Sequence, residues 1–243
     1  MSDLDLFATG FCFLFAGFIK RMIGLGLPTV SIALLGLIMV PAQAAALLVV
    51  PSLTTNLWQS ATGGNLRPLL ARLWPMLLSI CAGQAIGTAL LGGAVGGGSM
   101  ALGLALLLYA GIALAAPRLA IPRRAEWLLG PLTGALTGAI TAVTGVFVIP
   151  AVPYMQALGL GKESLVQGLG ISFSVSTVAL AASLAATGAL PPTLAGASVL
   201  ALAPAVLGMV LGRLVLRRVS PPVFRICFLV GLAALGLHLA LRG

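Results

Sequence analysis

The amino-acid sequence predicts an all-α polytopic membrane protein made of two inverted repeats, each of about five transmembrane or half-membrane helices. Of its 243 residues, 60% are hydrophobic and 7% charged, and the mean hydropathy is +1.17. Soluble domains carry about a quarter charged residues. A membrane helix needs about 20 apolar residues, and such runs follow one another from Leu6 to Leu241. The bilayer is therefore the expected solvent for nearly the whole chain.

The charged and cysteine residues exclude several other classes of protein. The net charge of +9 comes from cations in short connectors, which indicates topology signals and not a nucleic-acid site. The start of the chain is acidic and lacks the basic leader of a signal peptide, so we expect the first span to be retained. Cys12, Cys81 and Cys227 stand singly in apolar stretches, so no disulfide, metal or other cofactor is predicted.

Glycine, proline and charge divide the chain into ten apolar segments. These lie near residues 5–22, 24–39, 42–61, 69–92, 98–116, 126–143, 145–159, 164–186, 192–216 and 222–241. Every second connector is basic, and the connectors between them hold no charge. The basic positions are Lys20 and Arg21, Arg67 and Arg72, Arg118, Arg123 and Arg124, Lys162, and Arg217, Arg218 and Arg225. Because cytoplasmic loops collect Lys and Arg, both termini are predicted to lie outside.

Matched glycines indicate an internal duplication. Gly17 and Gly24 are spaced like Gly138 and Gly145, and Gly83 and Gly87 are spaced like Gly208 and Gly212. The first repeat would cover residues 1–120 and the second 121–243. Five segments per copy make the second copy enter the membrane upside down, as in many secondary transporters. In a rival interpretation, segments 2 and 7 are half-depth helices folded against their successors.

Two breaks at matched positions are candidates for binding an anion. One contains Gly24, Gly26 and Pro28, where the proline suits the first turn of a new helix, and the other contains Thr144 and Gly145, where the threonine is predicted to cap the next helix. Free N–H groups at helix N-termini attract anions. Two such ends are predicted to face one oxyanion from opposite sides. The alternative is that the glycines only let helices pack closely.

Polar stripes follow the two breaks and extend the candidate site. They comprise Ser52, Thr55, Asn56 and Gln59 on the third segment and Ser172, Ser176 and Thr177 on the eighth, with Gln84 on the fourth. Helical spacing places the members of each stripe on one face. Such groups can bind an anion through neutral hydrogen bonds. Ordinary hydrogen bonding between helices is the alternative.

Lys20 is the one candidate site residue with a charge. It either snorkels to the cytoplasmic headgroups or lines the inner approach and concentrates anions. The carboxylates Asp3, Asp5, Glu126 and Glu163 are all predicted at or near membrane surfaces, which leaves no buried proton relay. An enzyme is not predicted, because general acid and base catalysis needs positioned titratable groups.

The matched stretches resemble a known family. Gly17 to Pro28, Pro41 to Ala45 and Pro51 to Asn56 resemble the first repeat of the TauE/SafE sulfite exporter family, also called TSUP. Gly138 to Pro150 and Leu158 to Glu163 resemble its second copy. The resemblance covers essentially the full chain. It implies bacterial inner-membrane transport, usually export, of sulfite or a related sulfur anion such as an organosulfonate. Further glycines are common in the family where this chain has a leucine and a valine.

We therefore expect a transporter of a small anion, most simply sulfite or an organosulfonate, working by alternating access. Its expected partners are membrane lipid and the small anion, without nucleic acid. A passive anion or small-solute channel is the first alternative. A membrane scaffold and an intramembrane enzyme are the others, and a homodimer stays open.

Overall fold

The computed structural model describes residues 3–24, 27–90, 95–115, 120–215 and 221–242. These residues form eleven α-helices. The helices are α1 Asp3–Ile23, α2 Leu27–Leu35, α3 Pro41–Ala61, α4 Leu66–Leu90, α5 Gly98–Ala115, α6 Arg123–Thr144, α7 Ala151–Ala157, α8 Lys162–Ala186, α9 Pro192–Leu200, α10 Leu202–Val215 and α11 Pro221–Arg242.

Most of these helices are long enough to cross a bilayer. Six stretches in the described residues are both long and apolar enough: α4, α5, α6, α8, α9 together with α10, and α11. Helices α1 and α3, with 21 residues each, are about 32 Å long at 1.5 Å per residue, which matches a hydrocarbon core about 30 Å thick. The predicted all-α polytopic membrane class is confirmed.

Helices α2 and α7 are too short to span. They have nine and seven residues, or about 14 and 10 Å. The remainder of each predicted segment is non-helical backbone, which comprises residues 36–40 after α2 and residues 145–150 before α7. The helical parts of segments 2 and 7 therefore have half depth, as in the rival interpretation of the sequence.

The helices pack in four main pairs. Helix α1 packs on α10, α4 on α6, α3 on α8 and α5 on α11. If the chain is divided as the sequence suggests, α1 corresponds to α6 and α4 to α10. The first two pairs are then equivalent, and the last two each join a helix to its own counterpart. This is the pairing expected around a pseudo-two-fold axis. The repeat boundary itself stays a prediction.

Four of the matched glycines lie where paired helices cross. A Cβ atom built on Gly17, Gly83, Gly138 or Gly208 would lie 2.8 to 2.9 Å from a backbone carbonyl carbon of the facing helix. No side chain can be accommodated there unless the backbones separate. Gly17 and Gly208 bring α1 against α10, and Gly83 and Gly138 bring α4 against α6. At these four positions the glycines allow the paired helices to pack closely.

Charged connectors gather at one end of the bundle. Arg72, near the start of α4, pairs with Glu126, near the start of α6, at 2.6 Å, and donates to the carbonyl oxygen of Leu158 after α7 at 3.1 Å. At the opposite end, where the connectors are uncharged, the Val95 N–H donates to the Ala142 carbonyl near the end of α6 at 2.6 Å. This sorting agrees with the alternation of basic connectors. That the basic end faces the cytoplasm stays a prediction.

Candidate functional site

The candidate site is organised around a buried lysine. Lys20 lies in the last turn of α1, and only 4% of its surface is exposed. Its Nζ donates to Thr55 Oγ1 at 3.0 Å and to Asn56 Oδ1, both on α3. The snorkelling interpretation of Lys20 is therefore wrong, because the side chain points into the bundle. The adjacent Arg21 is exposed.

A chain of hydrogen bonds continues from Lys20 along α3 and across to α8. Asn56 Nδ2 donates to Ser52 Oγ at 3.0 Å, and the hydroxyls of Ser52 and Thr177 lie 3.1 Å apart. All of these side chains are buried. The arrangement joins the ammonium group of α1 to hydroxyl and amide groups of two other helices, α3 and α8.

A proline interrupts α3 beside this cluster. Pro51 has no N–H, so the carbonyl of Leu47 loses its partner within the helix. Ser198 of α9 replaces that partner by donating to the Leu47 oxygen at 2.8 Å, and it accepts from the Val50 N–H at 3.0 Å. A side chain from the second half of the sequence thus stabilises the interruption at Pro51. This interruption lies directly before Ser52 of the cluster.

Within the part of the chain that the structure describes, Lys20 has no carboxylate counter-ion. Glu126 is in an ion pair with an arginine, and Glu163 is exposed. Asp3 and Asp5 precede Lys20 by at least 15 residues on α1 (20 − 5 = 15), or about 22 Å along the helix. These four are the only side-chain carboxylates of the chain. Burying an uncompensated ammonium is costly, so an anionic ligand is the natural source of compensation.

Gln59 separates this cluster from the basic end of the bundle. It lies one turn beyond Asn56 on α3, and its Nε2 donates to the carbonyl oxygen of Val166 at 2.7 Å and to that of Gly24 at 3.4 Å. A cavity of about 420 Å³, here called the vestibule, is lined by Gln59 and by Lys162. Gln59 therefore contributes both to the vestibule and to the backbone contacts next to the lysine cluster.

The two predicted glycine breaks share one backbone conformation. Gly24 has φ +79° and donates its N–H to the Lys20 carbonyl at 2.8 Å, and Gly145 has φ +73° and donates to the Thr141 carbonyl at 2.7 Å. Each is a left-handed helix end, which glycine adopts at little cost. Lys20 and Thr141 therefore occupy the same place relative to the two breaks.

The glycines of the two breaks lie at different levels of the bundle. Gly24 contacts Gln59, whereas a Cβ on Gly145 would lie 3.7 Å from the Cβ of Ala45. Ala45 and Gln59 are 14 residues apart on α3 (59 − 45 = 14), or about 21 Å along the helix. In an inverted arrangement, equivalent breaks enter from opposite ends. Helix α7 begins six residues after Gly145, at Ala151, and the expectation that two helix N-termini face one oxyanion stays a prediction.

Other predicted residues of the breaks have local roles. Thr144 does not cap the next helix, because its hydroxyl donates to the Ile140 carbonyl at 2.7 Å and accepts from the Val146 N–H at 3.1 Å. It thereby satisfies irregular backbone inside the protein, as the membrane requires. Pro28 is in the first turn of α2, as predicted. Gly26 lies outside the described residues.

The polar stripe on α8 is split between two faces. Thr177 faces α3, but Gly168 packs on α7 and α4, and Ser172, one turn further on, shares that side. The hydroxyls of Ser172 and Ser176 are buried without a hydrogen-bond partner among the described residues. Gln84 is buried in α4 and donates only to a threonine of its own helix, at 3.5 Å. It does not join the lysine cluster.

Two residues missed from the sequence hold the framework of the site. Ser198 supports the proline interruption of α3, and Gln167 bonds the carbonyls of Ser60 and Gly63 at 2.7 Å each. A proline within a span signals an orphan carbonyl, but the sequence gives no sign of which distant hydroxyl satisfies it. The sequence marks Thr141 only by its position four residues before Gly145, which matches the position of Lys20 before Gly24.

Membrane-length helices, two interrupted segments and a buried cation among neutral hydrogen-bonding groups define a polytopic membrane transporter. The family model described as sulfite exporter TauE/SafE matches residues 9–239. The chain belongs to that family, as its resemblance predicted, and it is a membrane transport protein and not an enzyme. No curated protein and no solved structure gives a match.

Proposed function

We propose that the protein exports a small sulfur-containing anion, sulfite or an organosulfonate, across the inner membrane by alternating access. One observation carries this proposal: Lys20 is buried, and no carboxylate among the described residues compensates it. Intramembrane cations of this kind face substrate pathways far more often than lipid. Family membership supports sulfur oxyanions as the substrate class.

In the proposed complex the anion takes hydrogen bonds from the Lys20 ammonium and from nearby hydroxyls. An ammonium has three N–H donors, and two of them are directed at Thr55 and Asn56. The third is left for an oxyanion. Ser52 adds a hydroxyl group that can rotate to donate, and Thr177 adds a second if it releases its bond to the Phe173 carbonyl at 2.7 Å. Because these neighbours are neutral, the substrate is bound by a single positive charge. Its binding is therefore weak enough for the substrate to dissociate on the other side.

Alternating access finds support in the helix pairing and the vestibule. Lys20 is carried by α1, which packs on α10, whereas its partners Thr55 and Asn56 are on α3, which packs on α8. A tilt of one pair against the other would therefore move the cation relative to its neighbours. On the basic side, Gln59 lines the vestibule and lies one turn along α3 from Asn56 of the cluster.

The test is a flux panel in proteoliposomes. Labelled sulfite, alkanesulfonates, carboxylates and neutral solutes are offered to the purified protein. We expect saturable uptake of the sulfur anions, lost in Lys20→Ala and kept in Arg21→Ala, which removes the adjacent exposed charge. The proposal fails if every sulfur anion is excluded while another solute class moves. Currents far above carrier turnover would make the protein a channel instead.

A further inference from the structure

We propose that the site accepts anions with a single negative charge and rejects dianions. The transported species would then be bisulfite or a sulfonate with an uncharged tail, and not sulfate, thiosulfate or fully ionised sulfite. This inference rests on the proposed function and adds the charge state of its substrate.

The first argument is the charge that surrounds the buried ammonium. Helix α2 and helix α3 contain no charged residue. On the other neighbouring helices, Arg21 of α1, Arg213 of α10 and Lys162 and Glu163 of α8 are exposed, and Arg225 of α11 donates to a carbonyl of α5 at 3.2 Å. Among the residues that the structure describes, Lys20 is therefore the single charge of the site.

The second argument comes from the other break. Thr141 stands four residues before Gly145, as Lys20 stands four residues before Gly24, and both carbonyls accept the glycine N–H. Thr141 is fully buried and its hydroxyl donates to the Thr137 carbonyl at 2.6 Å. The second half thus has a neutral group where the first has a cation. The two halves together offer one positive charge, not two.

One buried cation balances one negative charge. A monoanion beside Lys20 gives a neutral pair, whose oxygens the hydroxyl and amide groups can share. A dianion leaves one uncompensated negative charge in the protein interior, where the penalty per ion is several kcal/mol, so we expect its binding to be weaker by at least about 100-fold. Neutral hydroxyls reduce this penalty only in part.

Methanesulfonate and sulfate form a matched pair for the test. Both are tetrahedral sulfur oxyanions of similar size, but one carries a single charge and the other two. Each is used to compete with labelled methanesulfonate for uptake into proteoliposomes containing the full-length protein. We expect unlabelled methanesulfonate to compete at least about 100-fold better than sulfate. Equal competition by sulfate or thiosulfate would overturn the inference and leave anion transport intact.

A pH series gives an independent readout. Sulfite gains a proton on acidification and becomes bisulfite, whereas methanesulfonate stays a monoanion throughout. We expect sulfite uptake to rise as the pH falls and methanesulfonate uptake to stay level. A change in the protein, including any change at Lys20, would alter both substrates together. Sulfite uptake that rises with pH would contradict the inference. Failure of both substrates to move would instead refute the proposed function.

Discussion

Replacing Lys20 with methionine should weaken anion binding without weakening the fold. Methionine has a similar length but lacks the ammonium group, so the substrate loses a charge-assisted hydrogen bond worth about 1.5–3 kcal/mol. That loss corresponds to a half-saturation concentration raised roughly 10- to 150-fold. In the empty protein, Asn56 Oδ1 loses its donor, at a cost of about 1–3 kcal/mol. Removing an uncompensated buried charge offsets that cost, so the melting temperature should not fall.

Uptake kinetics and thermal melting of the detergent-solubilised protein test both parts of this prediction. At 100 times the dissociation constant, a ligand stabilises the native protein by about 2.7 kcal/mol. At the same concentration, methanesulfonate should therefore raise the melting temperature of Lys20→Met clearly less than that of the wild type, because a site about 10- to 150-fold weaker gains only about 0.3–1.4 kcal/mol. Arg21→Met is the matched control, since it removes the neighbouring exposed cation. A Lys20→Met protein with wild-type half-saturation, or an equal loss in Arg21→Met, would refute the reasoning.

Three further predictions address the framework. Gly208→Ala places a Cβ 2.8 Å from a carbonyl carbon of α1, and this overpacking should cost about 1–3 kcal/mol in a thermal melt. Gly231→Ala has open space and should leave the melt unchanged or raise it. Ser198→Ala orphans a carbonyl of α3, so a loss of about 1–3 kcal/mol is expected, and no loss would mean another group satisfies it. In a cysteine-free background, Arg67→Cys should react with an impermeant thiol reagent from the cytoplasm and Gly96→Cys from outside; reaction from the same side would overturn the topology.

Composition and punctuation were sufficient to predict the helical segments, but not where helix gives way to irregular backbone. Segment 2 was predicted over residues 24–39, and its helix covers Leu27–Leu35. Segment 9 was predicted as one helix over 192–216, whereas α9 ends at Leu200 and α10 begins at Leu202. Hydropathy reports whether a segment prefers lipid. It does not report whether distant groups such as Ser198 will satisfy backbone that leaves the helix.

The candidate site was predicted in part, and its limits have physical causes. Helical periodicity places Ser52 and Asn56 on one face, and the structure joins them to Lys20. Periodicity gives the face of a helix but neither its depth nor its neighbours. The sequence therefore could not show that the breaks at Gly24 and Gly145 lie at opposite ends of α3. The sequence also could not show whether the Lys20 side chain points into the bundle or toward the lipid headgroups, because both orientations are possible for a lysine near a helix end.

The hydrogen-bond partners of Lys20 are neutral, and replacing one of them with a carboxylate tests whether the substrate supplies the missing negative charge. In the empty protein the ammonium is held by Thr55 and Asn56, so it is hydrogen-bonded but not charge-balanced, and an arriving anion supplies what is missing. Asn56→Asp would place a nearly isosteric carboxylate at the same atom and complete the ion pair within the protein. We expect the melting temperature to rise, because a charge-assisted bond of about 1.5–3 kcal/mol forms, and methanesulfonate to lose both its uptake and its effect on the melt. If Asn56 only packs, the aspartate would instead bury a carboxylate without benefit and lower the melting temperature. Wild-type uptake by a stabilised Asn56→Asp protein would show that the anion is compensated somewhere other than at Lys20.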